Sequence, residues 1–368
     1  MNLTGVSGAI VAIIASLAIV ACGGSGSSST SSGGTSSTSS GGGGSATING
    51  AGSTLAEPIY QQWGSSLSSQ GLTVNYQGTG SGAGIAQLQA GTVDFAASDP
   101  PMKPTEVAAG KGPVAQFPIA FGAITVSYNE SGVKSGLKLD GKTIADIFLG
   151  KVKNWNDPEI AGLNPGVKLP STAITVIHRS DSSGTTKGFT TFLSDYSPAW
   201  TAAAGKPDKI VNWPIGTGAK GNAGVAAAIK QTPGAIGYLD QTFALQGGFT
   251  YASVKNSSGH YVLPSLTATA AAAIGIPIPA NLAISTINSP NPAAYPIVSQ
   301  TFLIVYHDMC KEGVTKSAAA GVKKFITYGL GPGQAIEKQL QYAPLPPTIL
   351  AKDKAQLATL TCNGSPLT

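Results

Sequence analysis

HRSDSSGTTKGF, residues 178–189, is the stretch on which the reading of this chain turns. It gathers Arg179, Asp181, two glycines and five hydroxyl side chains into a dozen residues. The apolar run AITVI at 173–177 predicts a strand before it, and 185–193 predicts a helix after it. A turn at such a junction suits a catalytic serine, a nucleotide phosphate or a small free anion. Helix N-termini carry unpaired N–H groups and a partial positive charge, which favours the anions.

Two more stretches have the same design. NGAGSTL at 49–55 lies between Ile48 and a helix-like run toward Trp63, and QGTGSGAG at 77–84 lies between a strand-like and a helix-like run. Glycines let the backbone approach a ligand closely, and Ser or Thr hydroxyls donate hydrogen bonds. One such loop by itself reads equally well as a helix N-cap. Three together favour one shared anion. Strand-like and helix-like segments alternate from 46 onward, which predicts an α/β architecture with mostly parallel sheets. The short runs 122–128 and 234–238 are candidates for crossings between two domains.

Competing chemistries fit poorly. Gly78-x-Gly80-x-x-Ala83 satisfies a loose dinucleotide fingerprint, with Asp99 about 20 residues on, but the chain has 48 glycines and such a match is weak. A P-loop needs GxxxxGK[ST]; Arg179 stands at its first glycine and Thr185 follows Gly184 directly. His178, Asp181 and Ser182 are too close in sequence for triad geometry, and no GxSxG elbow is present. Neither HExxH nor a dense carboxylate cluster offers a metal site. The net charge of +5 comes from scattered Lys and Arg residues. Nucleic-acid binding wants a concentrated patch, so no nucleic-acid partner is expected.

The N-terminus places the protein. Residues 9–21 form a run that is apolar except for Ser16, too short for a comfortable membrane span and suited to a secretory h-region. They end in Ile19-Val20-Ala21-Cys22, which resembles a bacterial lipobox, although no Lys or Arg precedes the run. Cys22 is the expected lipidation site after a 1–22 signal peptide. Residues 23–45 are only Gly, Ser and Thr, a flexible tether with a root-mean-square reach of about 25–30 Å. Cys310 and Cys362 remain as an even pair in an oxidising compartment, where a disulfide is expected over two free thiols.

Several segments together resemble the phosphate-binding proteins of ABC phosphate importers, the PstS family. They are INGAGSTLAEPIYQQW, VNYQGTGSGAGIAQLQAGTVDFAASDPPM, LDGKTIADIFLGKVKNW, HRSDSSGTTKGFTTFL, NWPIGTGAKGNAGVAAAI and PGAIGYLD, spanning most of 48–240 in the family's order. The resemblance implies an α/β, two-lobed, type II periplasmic-binding-protein-like fold, with a hinge and a ligand cleft between the lobes. The expected division is 46–124 with 241–368 as lobe I, and 125–240 as lobe II. The implied phosphate-binding residues are Thr54, the Leu55 backbone, Ser81, Asp99, Arg179, Ser183, Gly184 and Thr185. Asp181, paired to Arg179, and Ser53 would stand behind them.

The chemistry of these residue types supports that assignment. Arg179 offers planar, bidentate donors. Asp99 looks misplaced in an anion site, but phosphate near neutral pH still carries a proton that a carboxylate can accept. Sulfate carries none, and a buried mismatch costs about 1–3 kcal/mol or more. The expected function is capture of inorganic phosphate, with arsenate as a mimic, and delivery to a membrane permease. The protein would be anchored to the cell membrane through Cys22 and would need no cofactor and perform no turnover. The alternative is an extracytoplasmic phosphatase or related hydrolase built on the same anion cradle.

Overall fold

The computed structural model describes residues 45–367. The signal peptide, Cys22 and all of the tether except Ser45 lie outside the described residues. The described chain is organised by one long strand, Val114–Asn129, with sequence VAQFPIAFGAITVSYN. Its β-branched and aromatic residues are buried along almost the whole length, as expected for a strand covered on both faces. Residues 114–123 pair antiparallel with Val298–Tyr306, and residues 124–129 pair antiparallel with Ala235–Asp240. The partner changes between Ala123 and Ile124, inside the run expected to be a crossing.

Across the sheet the strand order is 72–77, 46–52, 95–98, 298–306, 114–129, 235–240, 175–179, 217–219. The outer sets are parallel: 46–52 pairs this way with both 72–77 and 95–98, and 175–179 with both 217–219 and 235–240. The centre is antiparallel, where 298–306 meets both 95–98 and 114–129. The sheet is therefore mixed, not mostly parallel. The reason is local: helical crossovers make parallel neighbours, whereas the two central strands traverse the molecule directly.

The second candidate crossing, 234–238, does not cross. It belongs to Ala235–Asp240, whose partners are 124–129 and 175–179. Past it, Thr250–Tyr251 pairs with Ser127 and Tyr128, and Ser253–Lys255 pairs with Lys138–Leu139. The lobe boundary expected at residue 240 thus falls inside these pairings. The chain rejoins the other half with Val298–Tyr306.

One irregularity bears on the site. Pro118 has no N–H to give to the ladder, and the register between the two central strands shifts between Thr301 and Phe302, opposite it. Such bulges re-aim side chains. Here Thr301 turns its hydroxyl onto Asp99, with Oγ1 3.0 Å from Oδ1.

The last third of the chain is stitched onto the first half. Trp63, Tyr60, Ile59 and Leu67 form the buried face of the helix Glu57–Ser68. Trp63 packs edge-on against Phe325, with centroids 5.5 Å apart, and its Nε1 donates to the Gly333 carbonyl at 3.2 Å. Cys310 and Cys362 form a disulfide with Cα atoms 4.6 Å apart, closing a span of 52 residues. A loop of that length loses roughly 4 kcal/mol of unfolded-state entropy when cross-linked, and measured effects run about 2–4 kcal/mol. Replacing both cysteines by alanine should therefore lower unfolding free energy by about 2–4 kcal/mol in urea titration. An unchanged midpoint would mean that the bond stabilises nothing.

Candidate functional site

The strand Ala46–Gly52 ends in a turn that starts the helix Glu57–Ser68. Ser53 organises this turn: its Oγ accepts the N–H groups of Leu55 and Ala56 at 3.1 and 3.2 Å. Its own proton goes to Asp99 Oδ1. Thr54 and Leu55 are both buried.

The second loop opens the helix Ser81–Ala90. Gly80 has φ 96°, and a Cβ there would lie 2.5 Å from Asp181 Oδ2. Glycine is thus required for this loop to lie against the third one. Gly82 N–H donates to the Ser182 carbonyl at 3.0 Å. Ser81 Oγ accepts two N–H groups, from Asp99 at 3.3 Å and from Gly184 at 3.2 Å. With both lone pairs engaged, the Ser81 hydroxyl can only donate onward.

The third loop follows the strand Thr175–Arg179 and opens the helix Gly184–Tyr196. Ser183 is its N-cap and accepts from Thr186 N–H at 3.1 Å. Arg179 is buried and forked onto Asp181: Nε to Oδ1 at 2.7 Å and Nη2 to Oδ2 at 2.5 Å. Its remaining nitrogen, Nη1, approaches Thr185 Oγ1 at 3.4 Å. Burial pushes the Asp181 carboxyl upward, but Arg179 and then the Gly221 N–H outweigh it and hold the carboxyl below its ordinary range.

Asp99, at the end of the strand Phe95–Ser98, sits between these loops. Burial raises its pKa to about 6, against the opposing pull of Ser53, Thr301, Arg179 and the Thr185 N–H. A Cβ on Gly184 would lie 2.4 Å from Asp99 Oδ2, so only glycine admits the carboxylate at this helix start. As pH rises through about 6, ionised Asp99 weighs against the folded, empty protein. A cavity of about 330 Å³ reaches Asp99 and Gly184 from outside, walled by Lys187, Ile284, Ser299 and Phe302.

The sequence-derived residues are thus linked into one hydrogen-bonded constellation, in which Arg179 is the sole cation. The geometry also adds members that the sequence reading gave no role. Thr301 holds Asp99 from a mid-strand position that carries no sequence signal. Gly221 and Asn222 open a fourth helix, Gly221–Gln231, against Asp181 and Thr54. Their loop, GTGAKGNAG, has the glycine-rich strand-to-helix design of the other three, and that signal was available.

A hydrolytic relay does not assemble here. The His178 ring stacks on Trp213 with centroids 4.6 Å apart and an 11° tilt. Asp181 is committed to Arg179.

Residues 36–332 match the model of a PBP superfamily domain. The chain is 40% identical to the phosphate-binding protein PstS of Pasteurella multocida over 317 residues, covering 85% of this chain and 90% of that one. It is 35% identical to phosphate-binding protein PstS 2 of Mycobacterium tuberculosis over 368 residues, covering 94% and 96%. In three dimensions it resembles PfluDING, a high-affinity periplasmic phosphate-binding protein solved with phosphate, at TM-score 0.69 and 24% identity over 84% of this chain and 93% of that one. The fold is the two-lobed periplasmic-binding type. Similarity at this level across nearly the whole described chain places it plainly: it belongs to the PstS family of phosphate-binding proteins.

Proposed function

We propose that this protein captures inorganic phosphate outside the cytoplasm and hands it, unchanged, to the permease of an ABC importer. The observation that carries this reading is a buried acid, Asp99, at the centre of an anion cradle. Such a site suits an oxyanion that brings its own proton. Monohydrogen phosphate donates that proton to the Asp99 carboxylate and accepts from Arg179 and from the hydroxyls of Thr54, Ser81 and Thr185. The N–H groups of Leu55, Gly184 and Thr185, expected from the sequence to meet the anion, are instead given to Ser53, Ser81 and Asp99 and hold the cradle in shape. Ser183 contributes as the cap that fixes the third loop, while Asp181 aligns Arg179 and Ser53 aligns Asp99. Arsenate has the same shape and protonation and fits equally.

The ligand would be held by closure of two lobes. Two ion pairs join the segment after the 95–98 strand to the loop before the 217–219 strand and would hold the closed state. Lys103 meets Asp208 at 2.6 Å, and buried Lys209 meets Glu106. The Lys209 carbonyl also accepts the Ser183 N–H at 2.9 Å, tying this clasp to the third loop. Attachment to the cell membrane would come from lipidated Cys22, with residues 23–45 as the leash. The apolar run before Cys22 and the Gly/Ser/Thr composition after it support this. Two or more acyl chains give stable anchoring where one does not.

Calorimetry on variants tests the cradle. Asp99→Asn keeps a carbonyl acceptor and gains an N–H₂ donor for a fully ionised oxygen. Its sulfate affinity should rise by about 10-fold relative to its phosphate affinity, one hydrogen-bond mismatch being worth about 1–3 kcal/mol. Arg179→Ala should weaken all oxyanions together. Sulfate rejection as strong in Asp99→Asn as in the wild type would remove Asp99 from the selection.

Stopped-flow kinetics test the clasp. The exposed pair Lys103–Asp208 should contribute little. Lys209→Met, which strips a charge from a largely buried pair, should speed phosphate dissociation several-fold with little change in association. Equal dissociation rates in the two proteins would exclude the clasp from holding the closed state.

A further inference from the structure

Thr54 is anchored from the far side of the cleft. Its Oγ1 receives two donors from one residue, Asn222: the side-chain Nδ2 at 3.0 Å and the backbone N–H at 3.3 Å. A hydroxyl oxygen has two lone pairs and one proton. Both lone pairs are therefore engaged, and the proton must point away from Asn222. Among the described residues no acceptor takes it, although Thr54 is buried.

The orientation of Asn222 is itself fixed. Asn222 is fully buried, and its Oδ1 accepts the backbone N–H of Asp240 at 3.0 Å. That contact settles which end of the amide faces Thr54: the oxygen is occupied by Asp240, so the nitrogen turns to the hydroxyl. Asp240 is held in turn. Its Oδ1 takes the Thr242 N–H at 3.0 Å, capping the helix Gln241–Gln246, and lies 2.7 Å from Tyr342 Oη. Tyr342 Oη is also 2.8 Å from the Leu55 carbonyl, next door to Thr54. The path thus runs from Leu55 through Tyr342, Asp240 and Asn222 back to Thr54, with every member buried.

We infer that Asn222 is a positioning residue for anion binding: by filling both lone pairs of Thr54 Oγ1, it makes that hydroxyl an obligatory donor into the cradle. Without it, the Thr54 hydroxyl can rotate and present a lone pair to the anion, which repels. Asn222 also belongs to the helix Gly221–Gln231, on the Arg179 side, while Thr54 lies on the Ser53 side. The Thr54 donor is therefore set only when the two sides are together, which couples closure to the completion of the donor set. This rests on the phosphate reading above.

A double-mutant cycle read by calorimetric phosphate titration tests it. Thr54→Val, nearly isosteric, should lose about 10- to 100-fold in phosphate affinity, as for one hydrogen bond to a charged group. Asn222→Leu should lose about 5- to 50-fold in the wild-type background but less than about 2-fold in the Thr54→Val background, since the orientation it enforces no longer matters there. Asn222→Ala, which leaves room for water on the Asp240 N–H, gives the same comparison should the leucine variant fold poorly. A purely structural role for Asn222 would give the same fractional loss in both backgrounds, and that result overturns the inference. Wild-type protein that binds no phosphate would instead overturn the phosphate reading, and this inference with it. Wild-type binding with equal Asn222 costs overturns the inference alone.

Discussion

A buried carboxylate, Asp99, at the centre of the proposed anion cradle is the constraint on which the rest of this structure depends. Burial raises Asp99 to about 6, and a negative charge beside a second anion is tolerable only if a proton lies between them. Every neighbouring feature manages that proton and that charge. Ser53 and Thr301 bind one oxygen of Asp99, and Gly184 leaves space for the other. Ser81 joins the backbones of Asp99 and Gly184 through a single oxygen, so the carboxylate and the third loop keep a fixed separation. Arg179 supplies the one positive charge, and Asp181 locks its plane.

The fold delivers these groups with little wasted chain. Four strand-to-helix turns, around residues 53, 80, 183 and 220, meet through hydrogen bonds: Ser53 to Asp99, Ser81 to Asp99 and Gly184, Gly82 to Ser182, and Gly221 to Asp181. The long strand Val114–Asn129 changes partners midway and carries both halves of the sheet on one backbone. The bulge opposite Pro118 lies in the same central pair and gives the site Thr301. The central antiparallel strands join the two halves of the sheet without the bulk of a helical crossover.

Much of this was legible in the sequence, for identifiable reasons. Gly-rich turns with Ser or Thr between apolar runs announce helix starts, and the turns at 49–55, 77–84 and 178–185 come together in the structure. Arg179 ends its strand and Asp181 lies two residues on in the turn, close enough in sequence for an ion pair to be expected from opposite charges alone. Other parts were not legible because they depend on contacts distant in sequence. Thr301 looks like any strand threonine until the bulge at Pro118 is seen. The antiparallel centre comes from Val298–Tyr306 returning between 95–98 and 114–129, which no local pattern encodes. The run at 234–238 has the composition of a crossing, but an apolar Gly-Ala-Ile-Gly-Tyr run suits any buried strand equally well, and here it pairs with 124–129 and 175–179. Asn222 was available in its loop but undistinguished among the glycines around it.

The central claim is that this cradle takes a protonated oxyanion and refuses one without a proton. The most direct measurement is calorimetric titration of the wild-type protein, stripped of bound anions, with phosphate and with sulfate near pH 7.5. Stoichiometric phosphate binding should persist in a hundred-fold excess of sulfate, and sulfate alone should give no measurable heat. Sulfate binding of comparable strength at the same site, displaced by phosphate on equal terms, would contradict it.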